Sequence, residues 1–326
     1  MIHTRLAGVT AATIALCVIA GCGGSDSPQP ASARAAVAER PALPSGRIAF
    51  RRWLDDAKTH GAIFTVRTDG TGERQLTDPD AGADDLLDWS PDGRQIAYQH
   101  CSGLTDPCSV WVVDADGGTP RRVRFRCRLN AICDAAAPAW TPEGQLVVTL
   151  AQGRVRTLGG EPQIQQSALE QIDLRTGKQR TIYKRTGWAG DAIDAQVSPD
   201  GQTVIYTRLN SARSKPPLGK AIFAVDRDGS DHRQLASWEL GGGDHPVFSP
   251  DGLILFRSFE DGDAQSDFWT VRPDGTHLTQ LTHFKAPTLV TSASYSPDGA
   301  WIVYGSDVMA APTCTSCAPT APAAVC

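Results

Sequence analysis

Short apolar runs, each bounded by turn-forming residues, recur along the chain at a nearly constant spacing. The runs are rich in β-branched and aromatic side chains, as in Ile96-Ala97-Tyr98 and Val204-Ile205-Tyr206. Runs of this length and composition predict strands. An apolar residue and a tight turn precede each run, so the local unit is a strand, a turn and a second strand.

The turn itself is a five-residue motif that occurs five times, first as Trp89-Ser90-Pro91-Asp92-Gly93, with successive copies 47 to 57 residues apart. Pro presets φ for the first corner of a tight turn, Asp suits the second, and Gly takes the positive φ that closes it. We therefore expect these residues to shape turns rather than perform chemistry. The turn residues are Pro91, Asp92, Gly93, Pro142, Gly144, Pro199, Asp200, Gly201, Pro250, Asp251, Gly252, Pro297, Asp298 and Gly299.

A second motif lies about 20 residues downstream of the first in most copies. It is an apolar strand that runs into an x-D-G turn, as in the segments 110–117, 222–229 and 268–275, and it is followed by a polar stretch that ends in Arg-x-Leu or similar. Together the two motifs predict a repeating unit of four short antiparallel strands. An all-β fold follows from this repeat.

Such units predict a six-bladed β-propeller of four-stranded antiparallel blades. A lone sheet of this kind would expose both apolar faces, whereas blades stacked around an axis bury them against their neighbours. The segment from Arg47 to Thr77 has three predicted strands, and five further units begin with the turn motif.

Because the two motifs recur in register, the chain from about Arg47 to Tyr304 resembles the TolB-type propeller repeat. The resemblance implies a six-bladed propeller that works in the cell envelope. TolB itself has an α/β domain before its propeller, where this chain has only a polar stretch. We therefore do not expect it to bind the peptidoglycan-associated partner of TolB.

Composition narrows the possible functions. A net charge of −5, with 41% hydrophobic and 21% charged residues, is typical of a globular protein and not of a disordered or multi-span membrane chain. The acidic balance also argues against nucleic-acid binding.

The first residues predict export and a lipid anchor. Residues 1–21 read as a signal peptide, and Ile19-Ala20-Gly21-Cys22 resembles the lipobox in which the cysteine thiol is acylated. A plain signal peptide with an incidental Cys22 is the alternative. Residues 22–46 are small and polar, which predicts a flexible tether. We therefore expect a membrane lipoprotein on the extracytoplasmic face, attached through its N-terminal lipid only.

Cysteine usage agrees with an oxidising compartment. Cys101 and Cys108 form one short-range pair and Cys127 and Cys133 another, which predicts two disulfides. Free thiols or a four-cysteine metal site remain the alternatives.

Candidate chemistry is sparse. The histidines are scattered among units, and His245 is the best candidate because Asp244-His245-Pro246 enters an innermost-type strand that can face the channel. The alternative is a hydrogen-bonding histidine at a blade edge. The acidic run 260–267 lacks the EF-hand spacing of calcium ligands and is expected to be a solvated loop.

Two surface features bear on recognition. Alternation in the basic run 121–128 would place its arginines on one exposed edge. Their charges either keep an outer strand from pairing with other chains or face an anionic partner. The stretches 151–167 and 210–220 lengthen the connections between second and third strands, so we expect both on one rim.

Residues 307–326 carry no strand pattern, and we expect them to form a disordered tail. A shifted reading frame from the junction of Asp307 and Val308 can spell the missing strand and x-D-G turn, so we hypothesise a frameshift. A genuine Thr/Pro/Ala-rich tail is the alternative. In the frameshift case the last blade and the closure of the ring are incomplete.

The sequence favours a non-catalytic, lipid-anchored scaffold that binds a protein or glycan partner in the cell envelope. A propeller-type lyase or glycosidase with an axial site is the main alternative, and capture of a small ligand in the channel is a third. We expect a monomer without a cofactor.

Overall fold

The structure is a computed structural model that describes residues 45–80, 82–103, 106–127, 132–155, 162–186, 192–209, 219–240, 243–260, 265–285, 288–306 and 323–324. The expected signal peptide, Cys22 and nearly all of the tether lie outside these residues. No helix among the described residues is long and apolar enough to cross a membrane.

The chain is a β-propeller built from six successive units, as the repeat predicts. Unit 1 has three strands: β1 (Arg47–Trp53), β2 (Gly61–Arg67) and β3 (Arg74–Gln75). Unit 2 has four: β4 (Ala83–Trp89), β5 (Gln95–Cys101), β6 (Ser109–Asp114) and β7 (Arg121–Arg122). Unit 3 has four: β8 (Ile132–Trp140), β9 (Leu146–Val155), β10 (Pro162–Ile172) and β11 (Gln179–Thr186).

The second half continues in the same way. Unit 4 contains β12 (Ala192–Val197), β13 (Thr203–Leu209), β14 (Lys220–Asp226) and β15 (Arg233–Gln234). A short 3-10 helix (Trp238–Leu240) leads to unit 5, with β16 (Asp244–Phe248), β17 (Ile254–Glu260), β18 (Gln265–Val271) and β19 (Thr279–Gln280). Unit 6 contains β20 (Val290–Tyr295), β21 (Trp301–Ser306) and β22 (Ala323–Ala324).

Apolar clusters between neighbouring units hold the blades together. On β13, Tyr206 packs in the cluster shared with unit 3, while its neighbour Ile205 packs in the cluster shared with unit 5. Alternate residues of the strand thus face opposite blades, so both faces are buried and the apolar run is continuous. Five such clusters link the six units in order; among the described residues, none joins unit 6 to unit 1.

The first strand of each of units 2 to 6 lies innermost. β4 packs on β8, β8 on β12, β12 on β16, and β16 on β20. The Ser-Pro-Asp-Gly turn follows this strand on one rim of the propeller. The ends of the second strands and the starts of the third strands therefore lie on the opposite rim.

Ser and Asp build the recurrent turn by bonding to its own backbone. Ser90 Oγ donates to Asp92 Oδ1 at 2.7 Å and accepts from the Gln95 backbone N–H at 2.9 Å, while Gly93 has a φ of 66°. Unit 3 departs from this pattern. There Glu143 replaces the aspartate and accepts two hydrogen bonds from Arg227 of unit 4, at 2.6 and 3.0 Å.

The lengthened stretch of unit 3 and the C-terminal tail differ in secondary structure from what the sequence predicts. The lengthened stretch 151–167 extends the paired strands β9 and β10 rather than forming a loop throughout, since Val155 still pairs with Pro162. In the tail, Ala323–Ala324 pairs in parallel with Trp301 and Ile302, where no strand was expected. The rest of 307–326 lies outside the described residues.

Candidate functional site

The innermost strands β4, β8, β12 and β16 each contain a β-bulge, and the bulge lies at the same position of the repeat in all four. The bulged residue stands four positions before the Ser or Thr of the turn motif and has a positive φ in four units. Its φ angles are 43° at Leu86, 46° at Ala137, 53° at Asp194 and 50° at His245. Non-glycine residues rarely adopt this conformation, at a cost of about 1–3 kcal/mol each, and such strain clusters at functional sites.

The bulges of units 4 and 5 bring an aspartate and a histidine together at the innermost strands. His245 Nδ1 lies 3.5 Å from Asp194 Oδ2 and 3.4 Å from Asp244 Oδ1. Asp194 Oδ2 and His245 Nδ1 are both buried, and neither has a hydrogen-bond partner among the described residues. His245 thus occupies the innermost strand β16, where the sequence placed it.

Asp244, next to this pair, accepts hydrogen bonds at both of its carboxylate oxygens. Arg257 donates to it from Nε at 2.7 Å and from Nη2 at 2.8 Å, and Lys220 Nζ donates at 2.6 Å. Arg257 also donates from Nη1 to the Val290 carbonyl of unit 6 at 2.9 Å. The cluster therefore ties units 4, 5 and 6 together near the axis.

The electrostatics of these groups follow from burial and neighbouring charge. Burial raises the pKa of Asp194, against the opposing effect of His245. Burial also opposes ionisation of Asp244, but the neighbouring His245 and the hydrogen-bonded Arg257 outweigh it and hold its pKa well below the usual range. For His245, burial favours the neutral ring, yet Asp244 and Asp194 together raise its pKa. Because the pKa of Asp194 and the pKa of His245 are both raised, this carboxyl and this imidazole can share or exchange a proton.

The other described histidines have structural partners or lie at the surface. His100 Nδ1 is 2.7 Å from the buried Asp84 across the β4–β5 pair. His232 Nε2 is 2.5 Å from the Tyr206 hydroxyl, and its ring stacks on Tyr183 at an interplanar angle of 7°. Within the part of the chain that the structure describes, no group of three or more His, Cys, Asp or Glu side chains is arranged to hold a metal ion.

Residues 121–126 of the basic run lie on the outer edge of unit 2, as their alternation predicts, while Arg128 lies outside the described residues. We call residues 121–126 the arginine segment; its four arginines, Arg121, Arg122, Arg124 and Arg126, are exposed. Only Arg121–Arg122 belongs to the sheet ladder, but the alternation continues, with Val123 and Phe125 packed on the core. The four guanidinium groups make no ion pair with any described residue.

Two cavities lie along the arginine segment. The larger has a volume of about 430 Å³. It is lined by Arg122, Arg124 and Phe125 and by three of the paired cysteines, Cys108, Cys127 and Cys133. The smaller, of about 230 Å³, lies between the segment and Ile172, Asp173 and Leu174 of unit 3. Cavities of several hundred Å³ are the size that small ligands or single side chains of a partner fill.

The acidic run is not wholly a solvated loop. Residues 261–264 lie outside the described residues, but Asp267 lies on β18 and is completely buried. Its Oδ1 accepts from Thr282 Oγ1 at 2.7 Å and from the Phe284 backbone N–H at 2.9 Å. The expectation is therefore wrong for Asp267, which has a structural role.

The sulfur atoms of Cys101 and Cys108, and those of Cys127 and Cys133, lie at disulfide distance. We expect a non-reducing peptide map of the exported protein to recover both links. Each short closed loop should contribute roughly 2–3 kcal/mol to the free energy of unfolding, which reduction would remove. The reduced and alkylated protein is the control; free thiols at all four positions would refute the prediction.

Sequence reasoning missed Asp194, Lys220 and Arg257, which complete the cluster around His245. Both aspartates lie in innermost strands at positions where unit 3 has alanine. Asp194 is equivalent to Ala137, and Asp244 is equivalent to Ala136. A comparison of the repeats at these bulge positions would have identified the substitution.

No protein-family model matches the chain. Over 88 residues it is 38% identical to tricorn protease homolog 2 of Streptomyces coelicolor, a match that covers 26% of this chain and 7% of that protein. The chain thus corresponds to a small part of this curated relative's length.

Among solved structures, a gluconolactonase from Xanthomonas campestris matches with a TM-score of 0.52 at 17% identity, over 75% of this chain and 76% of that one. An oligogalacturonate lyase in complex with manganese matches with a TM-score of 0.51 at 16% identity, over 78% and 66%. A TolB structure from Agrobacterium tumefaciens has a TM-score of 0.49 at 17% identity, over 73% and 80%. The likenesses to the gluconolactonase and the lyase agree with the blade architecture described above, and the chain has the β-propeller fold.

Proposed function

We propose that this protein is a non-catalytic propeller, anchored in the cell envelope through lipid on Cys22, that binds a protein or glycan partner. The observation that supports this best is the arginine segment, whose four exposed guanidinium groups form no ion pair with a described acid and lie beside a cavity of about 430 Å³. Like charges so close together repel one another until a partner supplies the opposite charge. Val123 and Phe125 of the same segment pack in the apolar cluster between units 2 and 3, which supports this surface from below.

The anchor is tested by fractionation of cells that express single-cysteine variants. We expect Cys22→Ser to release the protein from the membrane fraction, because the acylated thiol is lost. Cys17→Ser, which changes the cysteine within the signal peptide itself, should leave the protein in the membrane fraction. Membrane retention of Cys22→Ser at the wild-type level would contradict the lipid anchor.

A second candidate function is a lyase or glycosidase with an axial site. The observation that favours it is the closeness of Asp194 Oδ2 and His245 Nδ1, two buried atoms 3.5 Å apart on residues that both have a positive φ. The fold is shared with an oligogalacturonate lyase and a gluconolactonase. Turnover of a glycan that Asp194→Asn abolishes would favour this enzyme, whereas partner binding that survives Asp194→Asn favours the scaffold.

A further inference from the structure

We propose that the arginine segment is the docking site for an extended segment of a partner protein that carries acidic side chains at alternate positions. This deepens the proposed function and rests on it, since it names the chemistry of the partner. The site is a trough formed by the arginine segment and the facing turn of unit 3, which includes Ile172, Asp173 and Leu174.

The spacing of the positive charges favours an extended peptide. Arg122, Arg124 and Arg126 alternate with core-facing residues, so their side chains project from one face. An extended chain rises about 3.3 Å per residue, which separates alternate side chains by roughly 6.6 Å. A peptide strand laid along the segment has the same repeat, so each second carboxylate can meet a guanidinium in the two-bonded geometry that arginine favours.

The floor of the trough accounts for the intervening positions. Val123 and Phe125 alternate with the arginines, and Ile172 and Leu174 lie across from them. Of these side chains, Val123 and Ile172 are buried in the cluster between units 2 and 3, whereas Phe125 and Leu174 are only partly buried and offer apolar contact to the residues between the acids of the ligand. The described residues of unit 3 contribute one carboxylate to the trough, Asp173, which accepts from the Arg175 and Thr176 backbone N–H groups. Its charge disfavours an acidic side chain at that end.

The sheet edge favours a peptide over a glycan. β7 is the outermost strand of unit 2, and no further described strand pairs with its outer side. An open edge offers backbone groups to an added strand, which is one of the recurring ways in which proteins bind extended peptides. Beyond β7, Gln179 Oε1 of unit 3 accepts from the Arg126 backbone N–H at 2.9 Å, so an added strand would pair with β7 itself and not with Arg126.

The test measures the binding of short fluorescent peptides to the purified full-length chain in a neutral detergent. One peptide alternates glutamate with valine and threonine; a second has the same composition with the glutamates contiguous. We expect the alternating peptide to bind at least about fivefold more tightly, and added salt to weaken its binding. The triple variant Arg122→Gln/Arg124→Gln/Arg126→Gln should lose about tenfold or more in affinity.

The matched control removes three other exposed arginines, Arg67→Gln/Arg94→Gln/Arg272→Gln, with the same loss of charge, and should bind like the wild type. Equal binding of both peptides, equal loss in both triple variants or no binding at all would overturn the proposal. Arginine-dependent binding of an acidic polysaccharide in preference to the alternating peptide would overturn it in favour of a glycan. None of these outcomes bears on membrane release by Cys22→Ser, so the two proposals fail separately.

Discussion

Replacing Asp244 with asparagine is expected to lower the free energy of unfolding by about 3 kcal/mol. The carboxylate is completely buried and accepts two hydrogen bonds from Arg257 and one from Lys220. Removal of one member of a buried ion pair leaves the other charge without compensation, at a cost of about 3–5 kcal/mol. The lower end applies because 37% of the Lys220 side chain is exposed and can be rehydrated.

Chemical denaturation at neutral pH measures this effect, and Asp116→Asn is the matched control. Asp116 forms an ion pair with Arg47 at 2.9 Å, but its side chain is 87% exposed. Exposed pairs of this kind contribute less than about 1 kcal/mol. A loss in Asp244→Asn no larger than in the control would show that the cluster does not hold units 4, 5 and 6 together.

The same carboxylate gives the effect a pH dependence. The pKa of Asp244 in the folded protein lies well below its ordinary value of 3.8. Its contribution to stability is therefore fully present above about pH 4 and is lost as the pH falls toward the lowered pKa. The difference between the wild type and Asp244→Asn should shrink over that acidic range.

The blade architecture was predictable because it is encoded locally. Ser90 and Asp92 specify their turn through bonds within five residues, Gly93 closes it, and the motif recurs in each later unit with Glu143 in place of the aspartate in unit 3. The continuous apolar runs also follow from simple physics, since a central strand buried between two blades needs apolar side chains on both faces. Alternation similarly placed the exposed arginines of unit 2.

The axial cluster was not predictable in the same way. Lys220 and Asp244 are 24 residues apart, and Asp194 meets His245 only because two equivalent bulges point these residues toward each other. A bulge shifts the side-chain alternation of the strand, so period-2 reasoning misplaces the residues that follow it. Asp267 shows the same limit, because its acceptor bonds depend on Thr282 and Phe284, which the sequence does not mark as its neighbours.

Replacing Phe256 with alanine is expected to lower the free energy of unfolding by about 3–5 kcal/mol. Phe256 lies on β17, is completely buried, and packs in the apolar cluster between units 4 and 5 with Ile205 and Ile222. Space around it is filled so closely that a Cβ on Gly243 would lie 3.2 Å from the ring. The surrounding blades cannot collapse into the cavity without losing contacts on their opposite faces, so the penalty includes a cavity cost beyond the lost transfer free energy.

Two further variants separate the cavity from the chemistry of the substitution. Phe256→Leu leaves a smaller void and should cost less than Phe256→Ala, whereas Leu278→Ala removes a side chain that is 39% exposed and should cost less than about 1 kcal/mol. Urea denaturation of the three variants gives the comparison. If Phe256→Ala were no more destabilising than Leu278→Ala, the faces of units 4 and 5 would not be buried against each other. Stacking of those faces is the physical reason for a propeller, so the measurement tests the architecture itself.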